Sequence, residues 1–248
     1  MKNSAISIFI FVAFTACNFV SRMDFQAQSL EVYKIETGTA NVYLIKTPSS
    51  LVMVDTGSPS EREKLLDGIR KAGFQPSDVR LIVLTHGHGD HAGNARYFQQ
   101  NFKTIIAGGA ADEDKFSSGK TELSKAESIG FLAGILRLFS DQQYDSFEPD
   151  VKISSETDLS TYGFPGKALP LPGHTPGSVI VVTGNSAFVG DLIRGGVVFK
   201  TTPVEHFFHE NRTQAREQLR KLLTDGVQFV YPGHFGPLAL EDLRKYLE

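Results

Sequence analysis

Apolar and polar residues alternate along LEVYKIET (30–37) and NVYLIKT (41–47), the period-two pattern of half-buried strands. SLVMVDTG (50–57) reads as a further strand ending at Asp55, with Gly57 and Pro59 as turn residues. Ser60 then opens SEREKLLDGIRKAG, which has early acids and a closing Gly73, the signature of a helix. VRLIVLTH (79–86) is a continuous apolar run, as expected of a buried strand, and it delivers His86 at its carboxyl end. HAGNARYFQQNF (91–102) looks helical and TIIAGG (104–109) returns as a strand. This strand–helix rhythm predicts an α/β fold, a sheet covered by helices.

Residues 110–143 break the rhythm. TELSKAESIGFLAGILRLFS (121–140) reads as helical, with apolar residues on more faces than one core contact explains. We read it as a lid over the mouth of a site, with Phe131 and Phe139 in a substrate-facing wall, the alternatives being a helix simply packed on the fold and a membrane-facing patch. Strands resume at KALPLPG, SVIVVTG and SAFVGDLI, followed by the helix RTQAREQLRKLLTDG, the strand VQFVYPG and a terminal helix from Pro237. No linker rich in Pro, Gly or Ser divides residues 30–248, which read as one domain.

Composition narrows the picture. The 248 residues are 41% hydrophobic and 21% charged, an ordinary globular balance, with a net charge of −3. No run of Lys or Arg advertises a nucleic-acid groove, so the expected partner is a small-molecule substrate. The N-terminus differs from the rest. Lys2 precedes an apolar run from Ala5 to Ala16, too short to span a bilayer and suited to a secretory signal over residues 1–16. The run stops at Cys17, the single cysteine, in a context that resembles the lipobox of bacterial lipoproteins. Residues 17–29 are then a short tether, and the protein is expected in the bacterial periplasm or envelope, lipid-anchored at Cys17. The alternative is ordinary cleavage after Ser29.

The chemistry concentrates in LTHGHGDHAGN (84–94), which puts His86, His88, Asp90 and His91 on one short loop. His174 in LPGHTPGS, Asp191 in FVGDL and His234 in YPGHFG each follow an apolar strand on a loop shaped by Gly or Pro. Strand ends that deliver side chains to one rim build a single site. Imidazole nitrogens with carboxylate oxygens suit zinc. The spacing of two on an extended loop turns His86 and His88 the same way, and the adjacent Asp90 and His91 can serve a second centre. Seven protein ligands are too many for one zinc and fit two.

This pattern resembles the metallo-β-lactamase fold hydrolases of the bridging-Asp, glyoxalase II-like or lactonase-like type, and the resemblance includes the early VDTG at 54–57. It implies an αββα sandwich with the metal site at the edge between two sheets. It further implies that His86, His88 and His174 bind one metal, that Asp90, His91 and His234 bind the second, and that Asp191 bridges both. The implied cofactor is two Zn2+, iron or manganese being admitted by the same ligands. Asp55 is implied as a carboxylate behind the ligands that orients them. The implied reaction is hydrolysis of an ester, lactone, thioester or amide bond by a hydroxide held between the metals, with Asp90 as the catalytic carboxylate. Glyoxalase II itself is disfavoured, because only residues 235–248 follow His234 where its helical domain would lie. The alternatives are a mononuclear-iron enzyme of the persulfide dioxygenase type and an exported β-lactamase. His206 and His209, in HFFH, are read as packing or site-wall residues rather than ligands.

Overall fold

Successive residues of each central strand enter different cores. Leu81 and Val83 pack into the space between two sheets, whereas Ile82 and Leu84 pack on the opposite face. Both sets are fully buried, which is why LIVL (81–84) reads as an unbroken apolar run after the exposed Arg80. The computed structural model describes residues 20–23, 30–38, 40–128, 143–222 and 226–248.

The first sheet has seven strands in the spatial order Val20–Met23, Glu31–Glu36, Asn41–Lys46, Leu51–Val54, Val79–Val83, Ile105–Gly109 and Val151–Ile153. Its first four strands are antiparallel neighbours, and pairing becomes parallel from Leu51–Val54 onward. The second sheet has six, in the order Leu238–Ala239, Phe229–Pro232, Ser186–Gly190, Val179–Thr183, Lys167–Pro170 and Thr157–Asp158. Only Ser186–Gly190 and Phe229–Pro232 pair in parallel within it.

Three apolar cores separate four layers. Helices Arg62–Lys71 and Ala95–Phe102 supply Leu65, Ile69 and Phe98 against the outer face of the first sheet. Tyr43, Val52, Val54, Val181, Phe188 and Tyr231 fill the space between the sheets. Leu219 and Leu222 of helix Arg212–Leu222, with Leu243 and Leu247 of helix Leu240–Leu247, cover the second sheet through Ile180, Val189 and Val230. The αββα sandwich expected from the sequence is the fold observed.

Several boundaries differ from expectation. Val20–Met23, read as part of a tether, forms an antiparallel edge strand on Glu31–Glu36, whose edge would otherwise leave backbone groups unpaired. The first helix is entered through a 3-10 turn, Pro59–Glu61, rather than from a capping Ser60. Residues 91–102, read as one helix, are divided between two, Gly89–Ala92 and Ala95–Phe102, because the chain turns at Gly93 and Asn94. Leu238–Ala239 pairs as a strand before the last helix begins. Residues 121–128 are not helical, and Glu127–Ser128 pairs with Phe208–His209. The rest of the expected lid, including Phe131 and Phe139, lies outside the described residues, as do Cys17 and the N-terminal signal.

Candidate metal centre

Four strand ends converge on one rim. Val79–Val83 leads through Thr85 to His86, and His88 stands as the extended N-cap residue of the single-turn helix Gly89–Ala92, which carries Asp90 and His91. Lys167–Pro170 leads to His174, Ser186–Gly190 to Asp191, and Phe229–Pro232 to His234. The structure thus brings together all seven residues singled out from the sequence.

They form two sets joined at one carboxylate. His174 Nε2 lies 3.2 Å from His86 Nε2 and 3.1 Å from His88 Nδ1. Those separations are close to the edge of a zinc tetrahedron, about 3.3–3.4 Å for bonds of 2.0–2.1 Å. Asp90, His91 and His234 form the second set, with His234 Nε2 at 3.5 Å and His91 Nε2 at 3.8 Å from Asp90 Oδ2. Asp191 Oδ2 sits between the sets, 3.8 Å from His86 Nε2, 3.7 Å from His174 Nε2, 3.4 Å from His91 Nε2 and 3.3 Å from His234 Nε2.

The donor set fits divalent ions. His91 Nδ1 is committed to Asp55 Oδ2 at 2.8 Å, while its buried Nε2 has no hydrogen-bond partner, and nor has Asp191 Oδ1. Buried polar atoms without partners are costly, and a metal ion satisfies such a nitrogen. Burial, reinforced by the neighbouring imidazoles, holds the pKa of His86 well below its ordinary value, and burial likewise lowers His88 and His174. These rings are therefore kept neutral, the form that ligates. Around His91 burial opposes charge, but Asp191, Asp90 and Asp55 outweigh it and raise its pKa well above the ordinary range. Asp90 and His234 have side chains 21% and 16% exposed, against 2% or less for His86, His91, His174 and Asp191. The site therefore opens to solvent on the Asp90–His234 side.

A layer of hydrogen bonds locks the loops. Asp55, with φ 62° in the left-handed region, accepts from Thr85 N at 2.7 Å as well as from His91. Thr56 donates to His91 O, and Asn94 Nδ2 donates to the carbonyls of Thr56 and Ser58, tying the Asp55 loop to the histidine loop. Gly233 packs so close that a methyl group there would collide with Asp191 Oδ1 and His91 Cε1.

Sequence reasoning missed several partners. Asp112, fully buried, accepts from Gly87 N at 2.9 Å, Thr175 Oγ1 at 2.7 Å and Gly177 N at 2.9 Å, so it clamps the loops of His86, His88 and His174 together. Lys115 Nζ lies 3.3 Å from Asp112 and 3.1 Å from Glu210. Tyr144 OH reaches Gly87 O at 2.8 Å. His206, set apart from the ligands in the sequence, is 6% exposed with Nε2 3.2 Å from Asp191 Oδ2. Its burial pulls its pKa down to about 3, and that of His209 to about 4. The available signal was position, since HFFH lies between two strand ends that carry Asp191 and His234.

Known proteins match both the sequence and the shape. Residues 35–234 match the family model of the metallo-beta-lactamase superfamily. Hydroxyacylglutathione hydrolase GloC of Haemophilus influenzae is 30% identical over 174 residues, covering 68% of this chain and 74% of its own. The probable metallo-hydrolase YflN of Bacillus subtilis is 23% identical over 87% of this chain and 88% of its own. Among solved structures, BJP-1, a subclass B3 metallo-beta-lactamase of Bradyrhizobium japonicum, superposes with a TM-score of 0.58 at 20% identity, covering 82% of this chain and 74% of that one. The chain belongs to the metallo-beta-lactamase superfamily.

Proposed function

We propose that the protein is a dinuclear zinc hydrolase acting on a thioester, lactone or related acyl bond of a small molecule. The observation that carries this reading is the convergence of His86, His91, His174 and His234 on Asp191 Oδ2, which leaves two complete three-residue ligand sets sharing one carboxylate. His86, His88 and His174 would hold one ion, and Asp90, His91 and His234 the other. When bound, such a pair polarises a substrate oxygen and lowers the pKa of water toward neutrality.

The chain's own residues set up the rest. Asp55 and Phe208 O accept hydrogen bonds from Nδ1 of His91 and His174, which turns the Nε2 of each ring toward the site. Asp90 has the most exposed side chain of the carboxylates and imidazoles compared at the opening, and it is the group placed to take a proton from attacking water and return it to the leaving group. Beside the opening, Gly195 N donates to His234 O, and the loop that follows leaves Val198 80% and Phe199 73% exposed. An apolar acyl group would find contact area there.

The GloC relative favours a thioester, despite the expectation that set glyoxalase II aside. A complete second ligand set weighs against the single-iron reading. The test is a panel of hydroxyacyl thioesters, lactones, β-lactams and phosphodiesters with the zinc-loaded protein; preference for phosphodiesters, or turnover only with iron and oxygen, would contradict the reading. We also propose export and lipidation at Cys17. Among the described residues no helix is long and apolar enough to cross a membrane. Cys17→Ser should abolish palmitate labelling, and a mature protein beginning at Leu30 would contradict this proposal.

A further inference from the structure

We propose that His206 is an eighth residue of the metal centre, supplying Nε2 as a ligand beside His174 and Asp191; this rests on the dinuclear reading above. His206 Nε2 lies 3.2 Å from Asp191 Oδ2, closer than the Nε2 atoms of His234 at 3.3 Å and His91 at 3.4 Å. His174, Asp191 and His206 form a set whose ligand atoms all lie within 4.8 Å of one another, and all three residues are buried. The His206 ring also stacks on His234, with centroids 5.3 Å apart and planes inclined by 26°. Its distance to the shared carboxylate matches those of histidines that the family pattern assigns as ligands.

The outer side of the ring points the same way. Phe208 O lies 2.8 Å from His174 Nδ1 and 3.2 Å from His206 Nδ1. A carbonyl oxygen has two lone pairs and can accept from both rings. With both Nδ1 atoms donating, each ring turns a bare Nε2 toward the carboxylate of Asp191. Nitrogen and carboxylate lone pairs repel at such separations unless a cation lies between them. An outer N–H held by a backbone carbonyl is also the arrangement that fixes the tautomer of a metal-bound imidazole. In the opposite tautomer, Phe208 N at 3.3 Å donates to His206 Nδ1 and the proton sits on Nε2. His206 would then be only a hydrogen-bond donor to Asp191.

The two tautomers separate in the cobalt-substituted full-length protein. Each imidazole bound to Co(II) contributes one exchangeable, strongly shifted N–H proton resonance. The wild type should show one more of these signals than His206→Ala and than the volume-conserving His206→Gln, with circular dichroism verifying that the variants are folded. Zinc dissociation, measured by chelator competition, should be at least about tenfold faster or weaker in both. A full set of shifted N–H signals in either folded variant, or zinc affinity within about twofold of wild type, would overturn the proposal. A wild type that binds neither cobalt nor zinc would instead sink the dinuclear reading itself, and this inference with it.

Discussion

Asp55 Oδ2 accepts a hydrogen bond from His91 Nδ1 at 2.8 Å, and the two residues are 1% and 0% exposed. Asp55 directly follows strand Leu51–Val54 and His91 lies on the single-turn helix beyond its parallel neighbour Val79–Val83, so strand register brings the pair together. Asp55 also takes the amide of Thr85, just before His86. One carboxylate therefore orients the His91 ring and fixes the start of the loop that carries His86 and His88.

Replacing Asp55 with Ala should weaken zinc binding about 10–100-fold, because the His91 ring loses the acceptor that sets its tautomer. It should also cost about 1–3 kcal/mol of stability for the buried donors left without a partner. Chelator competition and denaturant titration read the two effects. Unchanged zinc affinity would show that Asp55 only shapes the turn.

Asp112 is the corresponding clamp on the other side. Asp112→Ala strips partners from Gly87 N, Gly177 N and Thr175 Oγ1 and leaves Lys115 with Glu210 alone. Loss of one member of a buried charged network predicts a cost of about 3–5 kcal/mol in urea unfolding. A cost below about 1 kcal/mol would mean that the loops hold their positions without it.

The strands and the histidine motif were legible because each depends on neighbours in the chain. Ile82 and Leu84 face helices while Leu81 and Val83 face the second sheet, so burial of both faces leaves a plain apolar signature. Asp112 and His206 were not legible, since their partners are distant in sequence. Asp112 meets Gly177 only once the two sheets are packed, and His206 meets Asp191 only once the chain between them folds back. Val20–Met23 was missed for a similar reason, because its short run acquires meaning from the free edge it covers. The seven clustered residues were found through family pattern and strand-end position together, and neither alone would have paired His174 with His86.

Surface and core phenylalanines should respond oppositely. Phe199 is 73% exposed on the loop that follows Gly195, whereas Phe98 is fully buried under the first sheet. Phe199→Ala should raise KM for apolar acyl substrates and change stability by no more than about 0.5 kcal/mol. Phe98→Ala should cost about 3–5 kcal/mol with KM unchanged. Identical kinetics for wild type and Phe199→Ala across acyl chain lengths would remove the loop from the substrate site.

Metal content tests the central claim most directly. Elemental analysis of the purified full-length protein should give about two metal ions per chain, mostly zinc, as two complete ligand sets require. Asp191→Ala, which removes the shared carboxylate, should lower that content and reduce turnover by orders of magnitude in parallel. One iron per chain with oxygen-dependent turnover, or full metal content and activity in Asp191→Ala, would contradict the account.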